Sequence, residues 1–441
     1  MHKKEAYLRL NLTKLILVLY GIIVAFFSPI AHAHEIEFVN FGNKIKLQQS
    51  DPEQASVYRL ANSDQRVELS NRLIVKVRLG MRDDVINALK RKVKVEQLVV
   101  LGPFAEHEFL VVSLEEQAAE NLAHALEVAN GLAGVAYAQP DLLQVKSKLE
   151  LDMQNPDQQV SNILLESRVA RGFPYRLFRL DTWQKELQQI TRGKGVTIVV
   201  IDDGFDLEHD AFSQTKLLLT YDIERRVKDV APQSPMDRHG TKVLGVIGAR
   251  MSLLDQAEMT GLATDAGFIT VRQTKSWTSH TLESLHIAKL ANADVINMSW
   301  RTQLLLEPIK DAIDGLAQTG RDGKGTMVVL AAGNSGSMIK ENSTEASIKS
   351  AVVIGALGKD GMPASYSNFG QSVSAWMPGY SAKVPAKNNA YSSFGGTSYA
   401  AAYGTGMIAL LLASEPELSV DEVKQKLAQV TDVAQGNRQL R

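Results

Sequence analysis

The sequence contains no cysteine among its 441 residues. The chain therefore forms no disulfide bond, and thiol nucleophiles and thiolate metal sites are excluded. The formal net charge is only −1 and no long basic run occurs, which argues against nucleic acid as a partner. Without covalent cross-links the fold must depend on a large hydrophobic core, and a chain of this length with 45% hydrophobic residues can supply one.

Long apolar runs are also absent, with one exception near the N-terminus. Residues 15–27 read LILVLYGIIVAFF, follow several basic residues, and precede Ala31 and Ala33 in an Ala-x-Ala arrangement. This layout is typical of a secretory signal peptide over residues 1–33, and it predicts export to the periplasm or beyond, without membrane contact after cleavage. The run is short for a spanning helix, but the sequence leaves open that it is retained as an anchor.

The rest of the chain divides into four parts. Residues 34–69 form a polar N-terminal segment for which no structure is predicted. Residues 70–145 carry strand and helix patterns in the order β-α-β-β-α-β, which predicts a small α+β domain of the ferredoxin-like type. Residues 146–175 are polar and predict a linker, and residues 176–441 form a larger domain.

The larger domain is predicted to be α/β, with a mostly parallel central sheet and helices on both faces. Unbroken apolar runs alternate there with helical patterns, as expected of strands that are buried on both sides. The runs are residues 196–201, 268–273, 294–299, 326–332 and 351–357.

Polar residues follow three of these runs directly. Asp202 comes after the first, Ser299 closes the third, and Gly333 and Asn334 come after the fourth. Because parallel strands end at the same edge of a sheet, and ligands bind outside their carboxyl ends, this edge is the predicted site.

Each candidate residue also has an ordinary structural explanation. Ser398, at the start of an apolar helix pattern, can act as a helix cap, and His239 can be a polar residue at a helix N-terminus. Asp202 and Asn334 both precede turn-forming residues, and Trp300 can simply be part of the core. Taken one at a time, these residues do not distinguish a catalytic site from local structure.

Taken together, the stretches VVIDDGFDLEHDAF, HGTKVLGVIGA, NMSW, VVLAAGNSG and GGTSYAAAYGTGMIALLL resemble the successive motifs of subtilisin-like serine peptidases, the subtilases. The resemblance covers about residues 180–433, and the Asp, His, Ser order agrees with it. The small domain over residues 70–145 is similar to the propeptide of that family. There, the propeptide helps folding and inhibits the enzyme until it is removed.

The resemblance implies specific roles. Ser398 is the expected nucleophile, His239 the general base, and Asp202 the residue that orients the imidazole. The side chain of Asn334 is expected to form the oxyanion hole with the backbone N–H of Ser398. The residues expected to bind substrate are Ser299, Trp300, Arg301 and Gly333.

The implied function is that of an exported serine endopeptidase that cleaves polypeptides through an acyl-enzyme intermediate. Its own propeptide would be an intramolecular inhibitor, and the maturation site is expected within residues 146–175. No cofactor is required. Ca²⁺ binding stays open but unsupported, because no Asn-rich calcium loop is evident. A catalytically impaired peptide-binding protein and a membrane-tethered processing peptidase remain alternatives.

Several residues depart from the family pattern near these motifs, among them Asp203 and Arg301. Asp203 stands where a Ser or Thr usually follows the catalytic Asp, and Arg301 stands where a glycine usually lines the cleft. We expect the charge of Arg301 to block small subsites or to attract acidic side chains.

Overall fold

The computed structural model describes residues 35–50, 54, 56–61, 65–149, 175–250 and 261–431. The predicted signal peptide lies outside these residues. The described residues form an N-terminal unit, residues 35–149, and a C-terminal unit, residues 175–431. Within these ranges no helix is long and apolar enough to cross a bilayer.

The N-terminal unit contains eight strands and two helices. In chain order they are β1 Glu35–Asn40, β2 Asn43–Gln49, β3 Val57–Leu60, β4 Arg66–Arg78, α1 Arg82–Lys92, β5 Val95–Phe104, β6 His107–Leu114, α2 Ala119–Asn130, β7 Val135–Gln144 and β8 Ser147–Lys148.

The C-terminal unit contains the remaining eleven strands and six helices that the structure describes. They are α3 Tyr175–Ile190, β9 Thr197–Asp202, β10 Lys216–Asp222, α4 His239–Gly248, β11 Gly267–Arg272, β12 Ser276–Trp277, α5 Thr278–Leu290, β13 Val295–Met298, β14 Trp300–Arg301, α6 Glu307–Thr319, β15 Met327–Ala331, β16 Val352–Leu357, β17 Val373–Pro378, β18 Tyr380–Ala386, β19 Ala390–Gly395, α7 Thr397–Ser414 and α8 Val420–Thr431.

A seven-stranded sheet forms the centre of the C-terminal unit. Its order is β10-β11-β9-β13-β15-β16-β17, and every neighbouring pair is parallel. The side chains of β11, β13, β15 and β16 are all buried, as the unbroken apolar runs predict. The predicted fold class is therefore confirmed, and the carboxyl ends of β9, β13 and β15 meet at one edge.

The N-terminal unit has the predicted β-α-β-β-α-β order from β4 to β7. Its strands lie in the order β7-β4-β6-β5 and pair antiparallel. The segment over residues 34–69 is not merely polar, because β1, β2 and β3 extend the sheet beyond β4. In β1, exposed and buried residues alternate strictly, and this period of two was a strand signal in the sequence.

The turn between β1 and β2 caps a helix of the other unit. Asn40 Oδ1 accepts a hydrogen bond from the backbone N–H of Glu307, the first residue of α6, at 2.9 Å. In return, the backbone N–H of Phe41 donates to the Glu307 carboxylate at 2.9 Å. The two hydrogen bonds are reciprocal, as in a capping box, but they join Glu307 to a turn that lies 267 positions away in sequence. A cap of this kind stabilises a helix by about 1 kcal/mol.

The two units also share a hydrophobic core. Ile74, Phe104 and Phe109 of the N-terminal unit belong to the same buried cluster as the central sheet. Polar contacts flank the interface, where Asp311 of α6 accepts hydrogen bonds from Lys76 at 2.7 Å and from the Tyr137 hydroxyl at 2.6 Å.

Candidate active site

Asp202 and His239 form a buried pair at the sheet edge. Asp202 ends β9 and His239 begins α4, and both side chains are almost fully shielded from solvent. Nδ1 of His239 lies 2.9 Å from each carboxylate oxygen of Asp202. Gly240 follows the histidine because a Cβ there would lie 2.6 Å from the Gly204 carbonyl oxygen and 3.0 Å from Asp202.

The imidazole keeps the carboxyl group of Asp202 ionised. Burial alone would raise the pKa of Asp202, but the charge of His239 and its hydrogen bond, with help from Lys146, lower it below its usual value. The pair can therefore orient one imidazole tautomer and stabilise an imidazolium.

Asp203 fixes the backbone that carries His239. Its carboxylate accepts hydrogen bonds from the N–H groups of Arg238 at 3.1 Å, His239 at 3.1 Å and Gly240 at 2.8 Å. These N–H groups lie at the start of α4, where a helix has no backbone acceptors of its own. No side chain of the preceding residue caps this helix, so Asp203 takes the place of an N-cap.

Ser398 lies in the first turn of α7, after Gly396, whose φ of 87° is a conformation that favours glycine. The side chain is buried, and its hydroxyl donates to the Ser299 carbonyl at 2.9 Å. The Ser299 hydroxyl in turn donates to Asn297 on β13. Helices α4 and α7 pack against each other, which brings the histidine and serine segments together.

Asn334 and Ser398 meet at one carbonyl oxygen. The carbonyl of Leu149, in the segment that joins the two units, accepts hydrogen bonds from Asn334 Nδ2 at 2.7 Å and from the Ser398 N–H at 3.1 Å. Thr397 holds the amide in this orientation, since its N–H and hydroxyl both donate to Asn334 Oδ1, at 3.0 and 2.8 Å. Two preorganised donors on one carbonyl oxygen are the arrangement of an oxyanion hole.

The residues before Leu149 lie across the site as an extended strand. β8 pairs antiparallel with β14, with Lys148 opposite Trp300 and Ser147 opposite Arg301. Lys148 Nζ lies 2.5 Å from an Asp203 carboxylate oxygen. Lys148 thus contacts Asp203, next to His239, and the following residue, Leu149, contacts Ser398 and Asn334. The two parts of the candidate site therefore lie within one residue of each other along an extended chain.

Trp300 belongs both to the core and to the cleft. The side chain is 1% exposed, and its Nε1 donates to the Ile201 carbonyl at 2.9 Å. Lys146 lies on its ring, with Nζ 4.4 Å from the ring centroid and 2.5 Å from the Gln273 carbonyl oxygen.

Arg301 and Gly333 lie next to each other beside this strand. A Cβ on Gly333, whose φ is 110°, would lie 2.3 Å from Asn368 and 3.5 Å from Arg301 Nη1. Behind Arg301, Glu345 accepts hydrogen bonds from the Thr302 N–H at 3.0 Å and the Thr302 hydroxyl at 2.6 Å. Burial raises the pKa of Glu345, although these hydrogen bonds oppose the shift. The expectation that Arg301 controls subsite size or charge stays a prediction.

A metal site is not evident in the described part of the chain. Within it, no three His, Asp or Glu side chains cluster closely enough to hold an ion. Residues 251–260, part of the segment in which the sequence shows no calcium loop, lie outside the described residues.

The chain belongs to the subtilase family, because residues 193–440 match the model of that family. The resemblance inferred from the five motifs is therefore confirmed.

Individual relatives agree with this assignment. The chain is 29% identical over 360 residues to the thermophilic serine proteinase of Bacillus sp. (strain AK1). This match covers 76% of the present chain and 84% of the relative. It is 27% identical over 287 residues to the calcium-dependent protease of Nostoc sp., covering 55% of this chain but only 42% of that protein. The structure of fervidolysin from Fervidobacterium pennivorans, a keratinolytic enzyme related to subtilisin, superposes with a TM-score of 0.61 at 19% identity. It covers 81% of this chain and 57% of that one, and supports the fold alone.

Three functional contacts were not predicted from the sequence. These are the hydrogen bonds from Thr397 to Asn334, the cap that Asp203 supplies to α4, and the position of Leu149 between the two donors. Among these, only the cap supplied by Asp203 had a signal in the sequence, because Asp203 differs from the residue usual in the family.

Lys146 provides a stability prediction. Burial lowers its pKa from the usual 10.5 to about 8, although the charges of Asp202 and Asp203 oppose the shift. The folded chain therefore disfavours the charged amine, and stability from this group should increase as pH rises from about 8 to 10.5. In a Ser398→Ala background, Lys146→Met should raise the free energy of unfolding at neutral pH by about 1–2 kcal/mol, and the gain should shrink toward pH 10.5.

Denaturant unfolding at several pH values tests this prediction, and Lys148→Met is the matched control. Lys148→Met should lower stability, because the buried carboxylate of Asp203 then loses its cationic partner. Equal effects of the two changes at every pH would contradict the different environments of the two lysines.

Proposed function

We propose that the protein is an exported serine endopeptidase that hydrolyses polypeptides through an acyl-enzyme intermediate. One observation carries the proposal: beside the Ser398 hydroxyl, the carbonyl oxygen of Leu149 accepts hydrogen bonds from the Ser398 N–H and from the Asn334 side-chain amide. Family membership and the proteinases and proteases among the relatives support the same reaction. Export rests on the signal peptide that the sequence predicts.

Ser398 is the nucleophile in this reaction. Its hydroxyl, which donates to the Ser299 carbonyl at 2.9 Å, must turn to donate to Nε2 of His239 before it attacks. As the hydroxyl oxygen bonds to the substrate carbonyl carbon, negative charge develops on the carbonyl oxygen. The Asn334 amide and the Ser398 N–H then stabilise that charge.

His239 moves the proton in both halves of the reaction. It accepts the proton of the attacking hydroxyl and donates it to the leaving amine, and it then activates the water that releases the acyl group. Asp202 stays ionised, holds Nδ1 as the donor and stabilises the imidazolium. No step of this mechanism uses a metal ion, and calcium is suggested by the names of relatives such as the calcium-dependent protease of Nostoc sp..

The unit over residues 70–145 is proposed to be an intramolecular inhibitor and folding helper, with the maturation site in the linker over residues 146–175. Pairing of β8 with β14 supports this role. The strand occupies the backbone edge that an extended peptide substrate would use.

Labelling by a fluorophosphonate probe tests the peptidase function. The probe should modify Ser398 of the matured protein but not of heat-denatured protein or Ser398→Ala. The labelling rate should fall as the pH is lowered from about 8 to about 5, because a protonated imidazole cannot accept the hydroxyl proton. The Asp202 carboxylate, whose pKa is lowered, should add nothing to this change.

The same experiment separates the alternatives. A protein that binds peptides without cutting them would bind substrate but resist the probe at every pH. A labelling rate that does not change with pH would contradict the role of His239 as the base.

A further inference from the structure

The chain presents its own segment Lys146–Leu149 to the candidate active site in the manner of a substrate. The segment is extended, pairs with β14, and ends with its last carbonyl between the two oxyanion donors. Because the alignment is set by backbone pairing, each side chain of the segment marks one subsite of the cleft.

We propose that the chain first cuts itself at the peptide bond that follows Leu149, and that Asp203 selects a basic side chain at the position before the cleaved residue. The mature enzyme would then prefer polypeptides that contain Lys-Leu or Arg-Leu at the cleavage point. This inference rests on the peptidase function proposed above.

The cleavage position follows from the carbonyl that occupies the donors. The Ser398 oxygen would attack the carbonyl carbon of Leu149, and the bond from that carbon to the nitrogen of the next residue breaks. His239 passes the hydroxyl proton to the leaving nitrogen, which becomes a free amine. Water then hydrolyses the ester, which leaves a carboxylate on Leu149 and restores the hydroxyl of Ser398.

Asp203 is built to hold a cation next to that bond. Its side chain is 2% exposed, and Lys148 Nζ lies 2.5 Å from its carboxylate and 2.5 Å from the Met236 carbonyl oxygen. The carboxylate is fixed independently of the lysine by the N–H groups at the start of α4. It should therefore stay in place when the segment leaves, ready for the next basic side chain.

Lys146, two positions earlier, has a different environment. Its amine contacts a backbone carbonyl and the face of Trp300, and no carboxylate hydrogen-bonds to it in the described structure. A long apolar side chain could cover the same ring. Selection for charge is therefore expected at Lys148 and not at Lys146.

Leu149 defines the apolar part of the preference. Its side chain is 3% exposed and belongs to the main hydrophobic cluster. A charged side chain there would lose its hydration without a partner of its own.

Mass spectrometry during maturation of the full-length chain tests the cleavage position. The earliest fragment pair should consist of one chain ending at Leu149 and one beginning at the next residue. An earliest cut at any other bond would overturn this part of the proposal.

Peptide kinetics with the matured enzyme test the selectivity. The reference substrate is Lys-Ser-Lys-Leu joined to a fluorogenic amine. Methionine in place of the second lysine should lower kcat/KM by about 10- to 100-fold, because a charge-assisted hydrogen bond is lost. Methionine in place of the first lysine should not lower it.

Asp203→Ser, which introduces a residue common in the family at this position, tests the source of the selectivity. The ratio of kcat/KM between the lysine and methionine peptides should fall to about one. Because both peptides are measured with the same variant, any general effect on His239 cancels in this ratio. Restoration by Asp203→Glu would support recognition by charge.

The outcomes distinguish failure of the selectivity inference from failure of the proposed peptidase function. Cleavage of both peptides without preference, or selectivity that survives Asp203→Ser, would overturn the inference and leave the peptidase function standing. No hydrolysis of any peptide, together with no probe labelling of Ser398, would overturn both.

Discussion

Ser398→Ala should leave the full-length chain uncut and lower peptide hydrolysis by about 10⁶, a magnitude measured on subtilisin and carried over to this relative. The reason is that alanine removes the proposed nucleophile beside the Leu149 carbonyl and leaves only the two donors that hold the carbonyl oxygen. The variant should therefore accumulate as the unprocessed chain, still bound to its own segment. A time course of maturation by electrophoresis and mass spectrometry measures the effect.

Ser392→Ala is the matched control, because it removes a hydroxyl six positions earlier whose only described hydrogen bond is to the Ser393 carbonyl. This variant should mature like the parent. If Ser398→Ala matures with normal timing in the purified state, self-cleavage is wrong.

Asn334→Ala should lower kcat by about 10²–10³, again a magnitude measured on subtilisin rather than on this chain. The change removes the shorter of the two hydrogen bonds to the carbonyl oxygen, at 2.7 Å, and leaves the Ser398 N–H at 3.1 Å. KM should change little, because the hydrogen bond strengthens as the oxygen becomes negative. Steady-state kinetics of the matured variant separate the two constants.

Thr397 allows a sharper version of the Asn334 experiment. Thr397→Val removes a hydroxyl that orients the Asn334 amide, so kcat should fall by less than in Asn334→Ala, and Thr397→Ser should restore it. Asn334→Asp should be at least as harmful as alanine, because it replaces a donor by a negative charge. Full activity in Asn334→Asp would rule out the oxyanion role.

The central sheet was predictable where its strands are buried on both faces. The apolar runs that became β9, β11, β13, β15 and β16 carry this signal locally. The edge strand β10 was not predicted. Its residues Leu217, Leu218 and Leu219 are all exposed, so their apolar character is not a sign of burial. β17 lies at the opposite edge of the sheet, and Ser374 interrupts its apolar residues before Pro378 ends the strand.

The candidate site was predictable to the extent that each residue lies beside a strand end or a helix start. This local signal is present for all four candidate residues, Asp202, His239, Asn334 and Ser398. The position of Leu149 has none, since it depends on pairing between β8 and β14, about 150 positions apart in sequence. In the sequence, Lys-Ser-Lys-Leu is indistinguishable from an ordinary polar connection.

The reciprocal hydrogen bonds between the β1–β2 turn, which contains Asn40, and Glu307 have a consequence for activation. The two residues would lie on opposite fragments once the chain is cut after Leu149, yet neither their hydrogen bonds nor the common core depends on the severed bond. The fragments should thus stay associated as an inactive complex. We therefore expect departure or destruction of the N-terminal fragment, rather than the first cut, to determine when activity appears.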